Sequence, residues 1–119
     1  MGNLLAVIVH AANLHDTKSG ITVAQKACEK YPSIKGFCAD AGYRGTFIDE
    51  VKSKLQRTVD ISEKIKPHEW EKLPWRWIVE RTFAWMNAFC RLAKDFEITI
   101  SSQETMVILS CAMLLLRRL

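Results

Sequence analysis

Apolar and polar positions alternate in blocks along this chain. "LLAVIVHAA", from Leu4 to Ala12, is a continuous apolar run of strand length, rich in Val and Ile. It predicts a strand buried on both faces. "NLHDTKSG" then reads as a turn, and a helix is expected from about Thr22 to Lys30, stopping before Pro32. "IKGFCAD" (Ile34–Asp40) predicts a second short strand, and "AGYRGT", with its two glycines, a loop. "FIDEVKSKL" (Phe47–Leu55) fits a helix capped by Thr46, and "TVDIS" (Thr58–Ser62) a third strand. "EKIKPHEWEKLP" is polar and interrupted, hence a connection. A long helix follows from about Trp75 to Phe96, and another from about Gln103 to Leu116. The order β-α-β-α-β-α-α predicts an α/β layer with largely parallel strands, formed as a single domain over residues 1–119.

Composition adds bounds. The 119 residues are 49% hydrophobic and 25% charged, as in an ordinary globular domain. The net charge of +4 suits an anionic partner such as nucleic acid, though the basic residues form no tail or block. Cysteines at 28, 38, 90 and 111 lack the CxxC spacing of a metal knuckle and read as reduced, mostly buried thiols of a cytoplasmic protein. The longest apolar stretch, "MVILSCAMLLL" (Met106–Leu116), is shorter than the roughly 18 residues of a membrane span, so no membrane association is expected. Ser101 with Glu104 three residues on resembles a capping box. A short helix that is apolar all round is buried by its own chain or covered by a partner, which makes a homo-oligomer one expectation.

Two carboxylates stand out. On a helix of about 100° per residue, Arg76, Asn87, Arg91 and Lys94 fall within about 40° of Glu80. Ile78, Trp85, Phe89, Leu92 and Phe96 lie opposite. Glu80 therefore sits mid-face among cations. The bland account is a solvated charge helped by Arg76 one turn away. Asp40 ends the second strand, followed at once by "AGYRG". In open α/β sheets functional groups gather at the carboxyl ends of strands, where a carboxylate reaches a metal or phosphate. The bland account there is a turn aspartate in a D-x-G context.

Taken together, "HAANLHDTKSG", "CADAGYRG" and "WRWIVERTFAWMNAFCRLAKDFE" resemble the catalytic domain of DDE-type bacterial insertion-sequence transposases, from about Gly2 to Glu97. The last segment carries most of the specificity, because V-E-R-T-F-A-W followed by R-L-A-K-D-F-E is not a product of helix periodicity. The resemblance implies a ribonuclease-H-like fold, a mixed sheet flanked by helices. It also implies three carboxylates, Asp, Asp and Glu, holding two Mg²⁺ or Mn²⁺ ions. It maps the second Asp onto Asp40 and the Glu onto Glu80 as metal ligands that converge. Arg76 matches an arginine four residues before the Glu, and Asn87 stands where a lysine is sometimes found.

The residue types suit that chemistry. Two divalent ions about 3.5–4 Å apart activate the nucleophile and stabilise the leaving oxygen of an in-line phosphodiester displacement. Such hard cations take oxygen ligands. Arg76 then orients Glu80 or meets a phosphate, and Arg81, Arg91 and Lys94 meet the backbone of double-stranded DNA at the element ends. Trp75, Trp77 and Trp85 offer stacking surfaces for bases, with core packing the simpler use. A nucleoid-associated, cytoplasmic protein follows from that role.

The family's first Asp has no counterpart by motif. The chain opens at Met1-Gly2-Asn3, past the strand that carries it, which predicts a domain incomplete at its N-terminus. Asp16 reads as a turn or cap residue, and Asp60 as a strand residue of unassigned facing. Two readings stay open: a transposase domain lacking one ligand and inactive alone, or a non-catalytic DNA-binding or dimerising remnant.

Overall fold

A computed structural model describes residues 3–62 and 76–119. The expected connection after Ser62, and with it Trp75, lies outside the described residues. The chain forms two compact units. One joins the N-terminal residues up to Ala11 to Trp77–Leu119, and the other is Ala12–Arg76.

The Ala12–Arg76 unit holds helix α1 (Asp16–Lys30), strand β1 (Gly36–Asp40), helix α2 (Thr46–Glu50) running on as a π-helical turn (Val51–Leu55), and strand β2 (Thr58–Ser62). β1 and β2 pair in parallel, Gly36 against Thr58 through Asp40 against Ser62. Parallel neighbours need a crossover, and α2 with its π turn supplies it. The period of two sorts the side chains. Phe37, Ala39 and Val59 face the core formed by Ile21, Ala24, Phe47 and Val51, while Cys38, Asp40 and Asp60 are exposed. Gly20 lets α1 approach this core, since a Cβ there would stand 2.9 Å from the Tyr43 ring and 3.0 Å from that of Phe47. Gly45 takes φ 88°, a left-handed turn into α2 that a side chain disfavours, so Gly45 and not Thr46 caps the helix.

The other unit holds α3 (Arg76–Asn87), α4 (Cys90–Ala93) and α5 (Ile100–Leu116), with the N-terminal segment. α5 starts with a side-chain cap, Thr99 Oγ1 accepting the Ser102 N–H at 3.2 Å. Glu104 is thereby released from the expected capping box and accepts the Val9 N–H at 3.0 Å.

Four further expectations need correction. The strand expected over Leu4–Ala12 is irregular backbone. An apolar run reports burial, and here the Val9 N–H is taken by the Glu104 carboxylate rather than by a neighbouring strand. The sheet of the described residues thus has two strands, not three. Helix α1 takes in "DTKSG", because Asp16 suits a first turn and Gly20 is held by the core below it. The single helix over Trp75–Phe96 breaks at Ala88–Phe89: Phe89 is extended at ψ 115°, and its N–H turns back to Met86 C=O at 3.0 Å. The cysteines are all free, but Cys38 and Cys90 are exposed and Cys28 and Cys111 half-buried. Among the described residues no helix is long and apolar enough to cross a membrane.

Candidate functional site

Asp40 sits where β1 ends. Its Oδ1 accepts the Gly42 N–H at 2.9 Å, which folds "AGY" into a single tight turn and fixes the carboxylate at the mouth of the strand. That is the turn contact the bland account expects, made by an exposed side chain. Tyr43 closes the turn with its ring edge-on to Phe47, centroids 5.1 Å apart at 69°. Burial first, then the negative charges of Asp16 and Asp40, raise the Tyr43 phenol above its ordinary 10.0. Asp16, read from sequence as a turn or cap residue, is thus close enough to Asp40's turn for both charges to bear on one hydroxyl. Sequence missed Tyr43 because its partners are 27 and 3 residues away in the chain; "CADAGY" was its only local sign.

Register fixes the facing of Asp60. It pairs with Cys38, so it lies on the same exposed face of the sheet as Asp40, one strand across and two residues back. Cys38 and Ser62 meet on that face, Sγ to Oγ 3.4 Å.

Glu80 lies in the other unit, exposed on α3, and Arg76 is the first residue of that helix. Asn87 ends it. Arg91 and Lys94 belong to α4 and its end, so the cationic face drawn around Glu80 does not run along one helix axis. Three of the sequence-selected cations differ in what they do. Arg81 lies over the rings of Trp77 and Trp85, 4.5 and 4.6 Å from the centroids, one turn before and one turn after. Arg118 adds a second cation over Trp85 at 4.3 Å. Such stacking is worth about 0.5–2 kcal/mol per contact, according to exposure. It occupies the tryptophan that sequence had offered to the core or to a base. Arg91 is ion-paired, its Nη2 2.6 Å and Nε 2.9 Å from Glu97 Oε1. Lys94 is exposed. The Trp-x3-Arg-x3-Trp spacing was the signal for the stack; nothing local marked Glu97.

Glu97 joins α4 to α5. Its carboxyl is held below its ordinary 4.5, first by a hydrogen bond with Ser102 and then by Arg91. A depressed carboxyl stabilises the fold above its unfolded value and loses that contribution as pH falls through the lower folded value. Thermal melts of the parent and Glu97→Gln should therefore differ near neutral pH, with the parent more stable, and converge as pH drops below 4.5.

Asp40 and Glu80 are both exposed carboxylates, the donor type a hard divalent cation takes. No group of three or more His, Cys, Asp or Glu side chains positioned to hold a metal occurs among the described residues. No curated protein and no solved structure matches the chain. A family model described as the transposase DDE domain matches residues 1–116, nearly its whole length, and the chain therefore belongs to the transposase DDE domain family.

Proposed function

We propose that this chain works on the DNA of a mobile element as part of a ribonuclease-H-like transposase domain, in the cytoplasm at the nucleoid. The observation that carries it is the family match over residues 1–116, with a carboxylate at the end of a parallel strand and another on the helix bearing the V-E-R-T-F motif. DNA transposition is the work of that family. Asp40 and Glu80 are the residues that would hold Mg²⁺ or Mn²⁺, and the metal would supply nucleophile activation and leaving-group stabilisation at a phosphodiester. The protein's own share is to fix Asp40 through Gly42, to orient Glu80 through Arg76, and to hold the phosphate backbone. Arg91 and Lys94 serve that last role. Arg81, stacked on two tryptophans, contributes charge and shapes the aromatic surface beside them.

Fluorescence anisotropy of a labelled duplex tests this reading. Binding should be weak and without sequence preference, and should fall steeply with salt because each phosphate contact releases counterions. Lys94→Ala should lower affinity uniformly across sequences and reduce the salt slope by about one. An affinity that does not change between low and physiological salt counts against this surface.

A further inference from the structure

The charges of the Ala12–Arg76 unit are sorted along its strands. α1 turns into β1 through Tyr31–Ile34, with the Ile34 N–H on Tyr31 C=O at 3.1 Å, and the π turn after α2 passes into β2 through Gln56 at φ 52°. Both helices therefore end where the strands begin. Lys30 closes α1, Lys35 precedes β1, Lys52 and Lys54 stand in the π turn, and Arg57 precedes β2. Arg57 Nη2 donates to Pro32 C=O at 3.3 Å, which ties the two strand entries together. Because Gly36 pairs with Thr58, Lys35 and Arg57 enter neighbouring strands side by side, their backbones about 5 Å apart. The acids at this end are Glu29 and Glu50, the second 3.6 Å from Lys54. Among the described residues, Asp16, Asp40 and Asp49 lie toward the other end, with Lys18 and Arg44.

Helix dipoles account for only part of this sorting. Each helix C-terminus carries about half a negative charge, and two of them about one. Five cations over two acids leave a larger excess than that. Lys35 and Arg57, moreover, belong to no helix. Like charges on neighbouring strands cost stability, and an anion laid across them offsets that cost. The neighbourhood narrows the anion. Leu14, before α1 and toward the other end, is the exposed large hydrophobic of this unit among the described residues. A bilayer surface takes apolar residues to insert beside the cations. An unpaired strand takes aromatic faces to stack on, and here Tyr31 is half-buried with Lys30 over its ring at 5.5 Å. A duplex backbone takes only cations within reach of its phosphates. We propose that the strand-entry end of this unit is a second contact for the backbone of double-stranded DNA, made by Lys30, Lys35, Lys52, Lys54 and Arg57 without reading bases. The inference rests on the reading of this chain as one that binds DNA, and adds a contact in a different unit from Arg91 and Lys94.

A salt series of duplex anisotropy with lysine variants tests it. Lys35→Ala and Lys52→Ala, both at exposed positions, should each lower the salt slope by about one while keeping the parent's circular dichroism. Lys30→Ala/Lys35→Ala/Lys52→Ala should lower it by about three. If the triple variant does not fold, Lys35→Ala carries the measurement. Lys18→Ala, exposed toward the other end of the same unit, should leave the slope at the parent's value. Equal effects of Lys18→Ala and Lys35→Ala would show net charge rather than a contact, and would overturn the inference. A triple variant that binds as the parent does would also overturn it. Lys94→Ala, run beside it, separates the two surfaces: a slope lowered by Lys94→Ala alone leaves the DNA reading standing without this second contact. Salt-independent binding by the parent would remove the DNA reading and this inference together. Flotation with phosphatidylserine vesicles is the last arm. Capture that the triple variant loses, with duplex binding unaltered, would assign this end to a lipid surface and overturn the choice of DNA.

Discussion

Replacing Phe47 with alanine is expected to destabilise the Ala12–Arg76 unit by about 3–5 kcal/mol, the usual loss for a buried phenylalanine. Phe47 is only 6% accessible and touches every layer of that unit: α1 at Gly20, the Asp40 turn through Tyr43, and the sheet through Phe37 and Val59 in the same cluster. Its edge-on contact with Tyr43 adds about 0.5–1.5 kcal/mol of aromatic pairing to the area it buries. Whole domains are stable by only about 5–15 kcal/mol, so this one change removes a large share of what a unit this small possesses. Urea denaturation followed by circular dichroism measures it, with Lys52→Ala on the exposed side of the π turn as the control that should move little. A second readout is specific to the contact. Burial is the first cause of the raised Tyr43 phenol, so removing the Phe47 ring should bring that group back toward 10.0, with the Asp16 and Asp40 charges still holding it up in part. A loss under about 1 kcal/mol would mean that the core lies elsewhere.

What the sequence revealed of this fold follows from how local each signal is. "TVDIS" was read as a strand at the residues that form β2, and "IKGFCAD" contains β1, because short β-rich runs between turn residues carry their own boundaries. "LLAVIVHAA" has the same texture and is not a strand. A strand is completed by a neighbour, and here the apolar run lies with α5, where a glutamate takes one of its N–H groups. The break at Ala88–Phe89 was hidden for a related reason. No Gly or Pro marks it, and Phe89, Leu92 and Phe96 continue the apolar period, yet Phe96 ends 57% exposed. Asp40 was legible from its position at a strand end, and its exposed face was not. Only pairing with β2 shows that Asp60 shares it. Glu80 falls on α3, within the helix expected to carry it, whereas the stacking of Arg81 needed the rings to be placed.

Supercoiled plasmid incubated with the 119-residue chain and Mn²⁺ is expected to stay supercoiled, at the level of an Asp40→Ala/Glu80→Ala control. The reason is a count of ligands. Two adjacent divalent ions bring four positive charges, and Asp40 with Glu80 brings two negative ones. No residue of this chain matches the first Asp of the resemblance by motif. Asp60 is the strand carboxylate that meets one condition for replacing it, since it faces the same side of the sheet as Asp40. It fails a second. One strand across and two residues back puts its Cβ about 8 Å from that of Asp40, away from the strand ends where ligands collect. The charge of Asp16 reaches Tyr43 in the Asp40 turn, but Asp16 opens α1 as a first-turn acid. With one of the proposed ligands short, at least one ion would bind poorly, and either nucleophile activation or leaving-group stabilisation would go with it. Nicking by the parent that the double variant lacks would sink this expectation. Asp60→Ala and Asp16→Ala would then locate the third carboxylate, since whichever of them abolishes the nicking while leaving the circular dichroism intact supplies it.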